Sequence, residues 1–525
     1  MTLMMVLLKK IIKLQTTMSY ITSKNNFLKT EQFLSEVLPV DVLEYFSKVS
    51  FSTYVVGGAV RDWLLGKRPT DFDLVVDGDV SIIAADFATI VAGKIIELDR
   101  ERHIIRINYR QENVLTTIDL TQLVHDIELN LLSRDFTINS LAIKIPKNSD
   151  QKPTKSTIID LCGAINDLRN LTVRMITNQN IVDDPIRILR AVRISRELGF
   201  TIESHTRESL QANASLIFAV APERIRDEFL KILDSAQTTG SLLVLDRIGI
   251  LTKIFPELEL TKNVLQPKEH YWDVFNHLVH SVGYAEKIFA RVLVPPSDSL
   301  NPFLTCIPYF EGFKSHFFTQ FSDGYNRSVM LKLACLLHDI AKPQTKTVES
   351  SGKVRFLKHQ IVGEEISSQI LDRLRISNKG GRLVKMLVRH HLRPSQMAPE
   401  NKLPSDKAIY RYFRDLDEAS LDNLYLNMAD YLAARGPNLE LYNWEQHCQV
   451  LSHIIDRGLG EVSATKLPKL IDGNDIMNEF SIQPGRKLGE ILREIKEAQA
   501  LGTVNTREGA LEIVSKNLTS GVDSA

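Results

Sequence analysis

The sequence predicts an α+β fold: a small mixed β-sheet near the N-terminus, then a mostly α-helical remainder. Three observations carry this. An apolar run at 54–56 leads into Gly57-Gly58, a short helical stretch bearing Arg61, and a second strand containing Asp71-Phe72-Asp73. Strand-like runs follow at 95–98, 103–109 and 115–120. From Asp183 onward the chain reads as a succession of helix starts and helical ridges.

The elements follow in order. Residues 33–49 show helical apolar spacing and lead into the first strand, and 82–91 read as a helix. Gly57 and Gly58 let the backbone come close to a ligand. Amide groups at such a turn and helix start suit phosphate oxygens, and Arg61 is placed to add a charged fork. In a strand, residues two apart share a face, so Asp71 and Asp73 present their carboxylates together. Paired carboxylates suit a hard cation such as Mg²⁺, and two such ions suit in-line displacement at phosphorus. Asp119 is a candidate third carboxylate. Taken singly, a Gly-Gly is usually a turn and an Asp-x-Asp a solvated loop; the order and spacing here make the set specific. The tract 146–157, with Pro146 and Pro153, reads as a loop. In 183–193, Asp184 is expected to cap a helix with Pro185 in its first turn. Arg187, Arg190 and Arg193 then form one ridge. Another helix opens at Pro222.

Composition bounds the function. The length of 525 residues implies three or four domains. With 64 basic and 64 acidic residues the net charge is zero, so any nucleic-acid surface must be a local patch. Cys162, Cys306, Cys335 and Cys448 lack metal-ligand spacing and fit free thiols in a reducing compartment. The first 30 residues carry lysines without Asp, Glu or Arg, and their apolar run is too short to span a membrane. A disordered leader with initiation near Met18 is favoured over a transit-type segment.

Gly57-Gly58-Ala59-Val60-Arg61-Asp62, followed by Asp71-Phe72-Asp73, resembles the signature of the class II tRNA nucleotidyltransferases and bacterial poly(A) polymerases. Arg134-Asp135-Phe136-Thr137-Ile138-Asn139 matches a further motif of that family, with Ser133 where the family has a first arginine. The resemblance implies that Arg134 contacts the nucleotide and Asp135 its ribose region. It also implies that Asp184 and Arg187 form a protein template for the incoming base, although Asp183 stands where many members have Glu. A carboxylate accepts from the exocyclic amine shared by cytosine and adenine, and arginine donates to a ring acceptor. Arg190 and Arg193 would hold the nucleotide and its phosphates.

A second module begins near Gln266. His277, His338-Asp339 and Asp430, with His359 and His390 (or His391), resemble the order of the HD phosphohydrolase fold. There His277, His338, Asp339 and Asp430 would bind one divalent metal, and His359 and His390 would complete a second site or contact phosphate. Such ligands suit a transition metal. The tract 294–325 reads as an insertion without an assigned role. Residues 484–489 read as a turn and helix start, with tRNA backbone contact or plain capping as alternatives.

The expected organisation is a disordered leader (1–35), a nucleotidyltransferase head (36–175), a helical neck (176–260), an HD domain (261–460) and a C-terminal helical segment (461–525). The resemblance implies a cytoplasmic enzyme, monomeric or weakly dimeric and without a membrane role. It would extend the tRNA 3′ end from CTP or ATP, with Asp71, Asp73 and Asp119 as catalytic carboxylates. A poly(A) polymerase, or an HD-type phosphohydrolase or RNA-binding protein with an inactive head, are the alternatives. Only 15 positions separate Asp119 from Arg134. By resemblance, so short a segment implies an enzyme that adds CC and leaves the terminal A to a partner, with complete CCA addition or addition of A alone as alternatives.

Overall fold

The computed structural model describes residues 30–100, 102–111, 114–147, 158–293, 302–397, 403–460 and 469–519. The chain divides into two compact units, 1–224 with 244–254, and 225–243 with 255–525. Most of the expected leader, 1–29, lies outside the described residues, as does most of the 146–157 loop.

The first unit is built on a seven-stranded mixed sheet. Its elements begin with β1 (Thr53–Val56), α1 (Gly58–Leu64), β2 (Asp71–Val76), β3 (Lys94–Asp99), β4 (Ile104–Gln111) and β5 (Val114–Gln122). They continue with α2 (Ile127–Leu132), β6 (Leu141–Lys144), β7 (Ile158–Asp160) and α3 (Arg187–Leu198). The strand order is β3-β4-β5-β2-β1-β6-β7. The central β2–β5 pair is parallel and the other neighbours are antiparallel. A parallel pair needs a crossover. Part of it is the helix Val80–Ile90, which starts two residues before the expected position because the Asp79 carboxylate caps the amides of Ser81 and Ile82. The helix expected over 33–49 is two, Thr30–Glu36 and Val40–Lys48, split at Pro39. Proline cannot donate to the helix and disfavours helical geometry in the residue before it. Phe33 is fully buried, with its ring 5.0 Å from Trp63. The helix Thr30–Glu36, part of the expected leader, thus packs Phe33 against the first unit.

Asp184 does not cap α3 as expected. It ends the helix Asn178–Asp183, and Ile186 takes the cap position of α3 without a side-chain bond. The Asp184 carboxylate is engaged by Arg224 instead, at 2.9 Å.

The second unit is helical. Its central elements are α4 (Val274–Phe289), α5 (Arg327–Leu337), α6 (His359–Arg373), α7 (Asn378–His390) and α8 (Ser420–Arg435). Every residue of α5 is buried. The end of α5 therefore delivers His338 and Asp339 into the interior. Of the tract 294–325, residues 294–301 lie outside the described residues. The rest forms short helices at Pro302–Thr305 and Phe313–Phe318 and the first strand of a small hairpin. Phe313 and Phe317 are fully buried, 5.1 and 5.0 Å from Tyr425. The tract thus packs the unit's core. Three further helices, Gly473–Phe480, Arg486–Ala500 and Arg507–Thr519, share a core of Ile476, Leu488, Ile491, Ile495, Ala510 and Val514. Among the described residues, no helix is long and apolar enough to cross a membrane.

One buried ionic network ties α5 to α8. Arg327 donates through Nη2 to Asp422 Oδ2 at 2.9 Å, and His316 Nε2 lies 2.9 Å from the same oxygen. Asp422 is fully buried. Removing one partner of a buried pair strands the other charge, at a cost of ~3–5 kcal/mol. Arg327→Ala is expected to lower the stability of the second unit by about that amount. Urea unfolding followed on this unit measures it, and an unshifted midpoint would contradict the network's role.

Candidate active site and metal centre

The first site forms where β1 turns into α1 against the exposed start of β2. Register sets its geometry. Asp73 pairs with Val56 on one side and with Asp119 on the other. Asp71 and Asp73 point outward while Phe72 and Leu74 are buried, so the two carboxylates share a face. Gly57 has φ +72°, and a Cβ there would lie 2.7 Å from Arg134 Nη1 and 3.4 Å from Asp73 Oδ2. Glycine is required on both counts, backbone and space. The Gly57 amide donates to Leu141 O at 2.9 Å, so it holds the turn to β6 and is not part of a phosphate cradle. Gly58 opens α1 beside Arg61, whose Nη2 would be 3.6 Å from a Cβ there. Arg61 donates to Asp62 at 2.8 Å and to Asn139 Oδ1 at 2.5 Å.

Asn139 extends this chain inward by donating to Asp135 Oδ1 at 3.0 Å. Asp135 Oδ2 accepts from Arg190 Nε and Nη2 at 2.9 and 2.8 Å. Burial alone would raise the Asp135 carboxyl. The charge of Arg190, the Asn139 bond and the Phe136 amide outweigh it and hold the group at about 2. Asp73 shifts the other way. Lost hydration raises it, and Asp119 and Asp71 add to that rise against the pull of Arg134 and Arg190. A carboxylate placed as Asp73 is gains from a nearby cation, and Asp71 on the same strand face could share it.

The arginine ridge is divided among tasks. Arg187 donates to the carbonyls of Ser133 (2.9 Å), Arg134 (3.3 Å) and Asn180 (2.9 Å). Arg193 pairs with Glu197 at 2.9 Å. Arg190 holds Asp135. Arg187 is thus engaged with backbone while Asp184 is engaged with Arg224. Sequence reasoning gave Asn139, Arg106 and Arg224 no place in the site. The spacing of Asn139 from Asp135 on a tight turn was readable. The other two depend on pairing across strands and helices.

The second site lies within the second unit. His277, His338, Asp339 and Asp430 present donor atoms to one point, and Asp339, His359 and His391 to another. Asp339 is common to both. Its Oδ2 is 3.4 Å from Nε2 of both His277 and His338, and its Oδ1 is 3.2 and 3.5 Å from Nε2 of His359 and His391. Asp430 Oδ1 lies 3.0 Å from His277 Nε2. Nδ1 of His338, His359 and His391 donates to the carbonyls of Cys335, Phe356 and Val388 at 2.8, 2.6 and 2.7 Å. A carbonyl only accepts, so each of these rings, when neutral, turns a bare Nε2 inward. His277 and His338 bring Nε2 to 3.2 Å of each other, as do His359 and His391. Converging lone pairs beside buried carboxylates are the donor set of a divalent cation. Asp339 and Asp430 are both held well below the usual carboxylate range: Lys342 and His338 at Asp339, and bonds from His277 and His338 at Asp430, outweigh burial, and the same carboxylates raise His338 to about 10 against its own burial.

His390 was expected in this set and is not there. The buried face of α7 runs through Leu383, Val384, Leu387 and Val388, and His391 continues it one turn on. His390 points aside, half-buried near Arg393, Arg389 and Glu364. Lys342, 2.5 Å from Asp339 Oδ2 and 2.6 Å from Gln266, is a further member that the sequence reading missed.

Residues 53–174 match the Poly A polymerase head domain, 199–261 the probable RNA and SrmB-binding site of polymerase A, and 317–435 the HD domain. The chain is 30% identical over 469 residues to the A-adding tRNA nucleotidyltransferase of Deinococcus radiodurans, covering 88% of this chain and 94% of that one. The chain belongs to the tRNA nucleotidyltransferase family. It is also 30% identical over 466 residues to the CC-adding tRNA nucleotidyltransferase of Thermus thermophilus, covering 87% and 92%. The Thermotoga maritima CCA-adding enzyme, solved with tRNA, shares the fold at a TM-score of 0.57 and 20% identity, covering 93% of this chain and 98% of that one. The nucleotidyltransferase reading and the HD assignment made from sequence both hold.

Asp135 supplies a pH test. Its folded value, about 2, lies below the ordinary 3.8. Its stabilisation is therefore complete above the unfolded value and is lost as pH falls through about 2. The shift corresponds to roughly 2 kcal/mol. Asp135→Asn is expected to destabilise the first unit by at least that much and to flatten its stability profile between about pH 4 and 2. Urea midpoints taken across that range report it, and an unchanged slope would contradict it.

Proposed function

We propose that this chain extends the 3′ end of tRNA with nucleotides from CTP or ATP, using Mg²⁺ held by Asp71 and Asp73. The observation that carries this is the placement of Asp73 beside Gly57, with Asp71 on the same strand face and Arg134, Arg190 and the buried Asp135 close by. The ion, when bound, lowers the cost of charge developing on the attacking and leaving oxygens. The chain's own residues do the rest. Arg134 offers Nη1 over the Gly57 turn to a phosphate oxygen. Asp135, locked by Arg190 and Asn139, supports the ribose side. Asp184 accepts from the exocyclic amine of cytosine or adenine. Positioning and charge stabilisation account for the rate.

The specificity proposed is a single one: addition of the two cytidines without the terminal adenosine. Support comes from the link between β5 and Arg134, which is a four-residue turn and the short helix α2. Such a link gives no long lever to re-shape the pocket from C to A. The equal identity to an A-adding relative favours, as second reading, addition of A alone. Supplying CTP and ATP with tRNA lacking all three terminal nucleotides, and with tRNA ending in CC, decides it. Products stopping at CC support the first reading. ATP incorporation into tRNA-CC alone supports the second. Full CCA ends would overturn single specificity.

The cluster in the second unit is proposed to bind a divalent transition metal and to hydrolyse a phosphoester such as a 2′-phosphate or 2′,3′-cyclic phosphate end. The two activities are expected to separate. Asp71→Ala should lose nucleotide transfer by more than about a hundredfold while retaining tRNA binding and phosphoester hydrolysis. His338→Ala should do the reverse. Joint loss in either variant, with the fold intact, would contradict two independent sites.

A further inference from the structure

Asp119 is the third carboxylate of the row, yet its two oxygens are already taken. Arg106 Nε lies 2.8 Å from Asp119 Oδ1 and Arg106 Nη2 lies 2.8 Å from Oδ2. The topology fixes this pair. Arg106 is the register partner of Asp119 across β4–β5, and Asp119 is the register partner of Asp73 across β5–β2. Arg106, Asp119 and Asp73 thus form one row across three strands. A guanidinium fork engages a carboxylate side-on and turns both oxygens toward itself. Those oxygens are then directed away from any ion at Asp71 and Asp73. The pair remains open to exchange, with 38% of the Arg106 side chain and 19% of the Asp119 side chain exposed.

We propose that Arg106 is a built-in counter-ion that competes with the divalent ion for Asp119, so that Asp119 becomes a ligand beside Asp71 and Asp73 only when Arg106 releases it. The inference rests on reading Asp71 and Asp73 as the metal pair. The physics is a comparison of two cations at one carboxylate. A partly exposed ion pair is worth up to about 1 kcal/mol, enough for Arg106 to keep Asp119 when the ion alone is present, yet small enough to be overcome when a phosphate also engages the fork. The released fork has the geometry to take a phosphate oxygen, so an RNA or nucleotide phosphate would favour the exchange. In the uncomplexed enzyme Arg106 spares the row the repulsion of three adjacent carboxylates.

The test is Mn²⁺ binding to the full chain followed by electron paramagnetic resonance, without nucleotide or RNA. The quantity read is the component that Asp71→Ala removes, which excludes ions held in the second unit. Arg106→Gln is expected to tighten that component about fivefold, by freeing Asp119. Asp119→Asn alone should leave it unchanged, since Asp119 is masked. Arg106→Gln combined with Asp119→Asn should return it to the wild-type value. Unchanged binding in Arg106→Gln would overturn the proposal. So would tightening that persists in the double variant, because the effect would then be a general field and not a freed ligand. If Asp71→Ala removes no Mn²⁺ signal, the metal-pair reading itself falls and the competition falls with it. Should Arg106→Gln fail to fold, Arg106→Lys serves: a single ammonium cannot fork both oxygens, and a smaller tightening, about twofold, is expected.

Discussion

Crowded carboxylates are the constraint on which the first unit depends. The parallel pairing of β2 with β5 puts Asp73 beside Asp119, and the period of the strand puts Asp71 on the same face. Burial raises the Asp73 carboxyl, and the neighbouring Asp119 and Asp71 add to that rise. The surrounding chain answers with positive charge from separate elements: Arg106 on β4, Arg134 after α2 and Arg190 on α3. Gly57 matters for the same reason. Any side chain there would occupy the space through which Arg134 reaches Asp73. Asp135 completes the balance by pairing with Arg190.

The second unit solves a similar problem with different chemistry. Its acids, Asp339 and Asp430, are met by imidazoles rather than guanidinium groups. A guanidinium stays charged and cannot ligate a metal, whereas an imidazole tethered through Nδ1 offers a lone pair. That difference explains why the carboxylates of the head are flanked by fixed cations and those of the second unit by potential ligands. The tethers also account for precision. Each of His338, His359 and His391 is bound to a carbonyl near its own helix end, so ring orientation follows from the backbone.

Much of this was legible in the sequence. Gly57, Asp71, Asp73, Arg134 and Asp135 are local signals whose meaning lies in short spacings; the structure brings Arg134 and Asp73 to the Gly57 turn and leaves Asp71 on the same strand face. The order His277, His338-Asp339, Asp430 likewise named the residues that converge. The failures share one physical cause: they required knowing which side of an element faces inward or what lies across from it. His390 and His391 differ only in helical phase, and the apolar stripe of α7 selects the second. Asp184 looked like a helix cap because Asp-Pro is a helix-start signal, but its carboxylate is drawn to Arg224. Arg106 stood in a strand-like run without any mark of its partner, since register between strands is not written in either strand alone. The aromatic tract before α5 looked like an insertion because its phenylalanines lack regular spacing; they pack on Tyr425 all the same.

The separation of Asp184 from Arg187 bears on how a base is read. A template needs a carboxylate and a guanidinium at one ligand edge, and here each is engaged elsewhere. The two engagements differ in strength. Arg224 and Asp184 form a partly exposed pair, with 46% of the Arg224 side chain and 16% of the Asp184 side chain accessible. Such a pair contributes at most about 1 kcal/mol and yields readily to a base that offers Asp184 an amine donor. Arg187 instead spans three carbonyls, those of Ser133, Arg134 and Asn180. On the proposed reading, base recognition would fall first on Asp184, whose pair with Arg224 is the weaker of the two engagements, whereas Arg187 would have to give up its bonds to the Ser133 and Arg134 carbonyls before reaching a base.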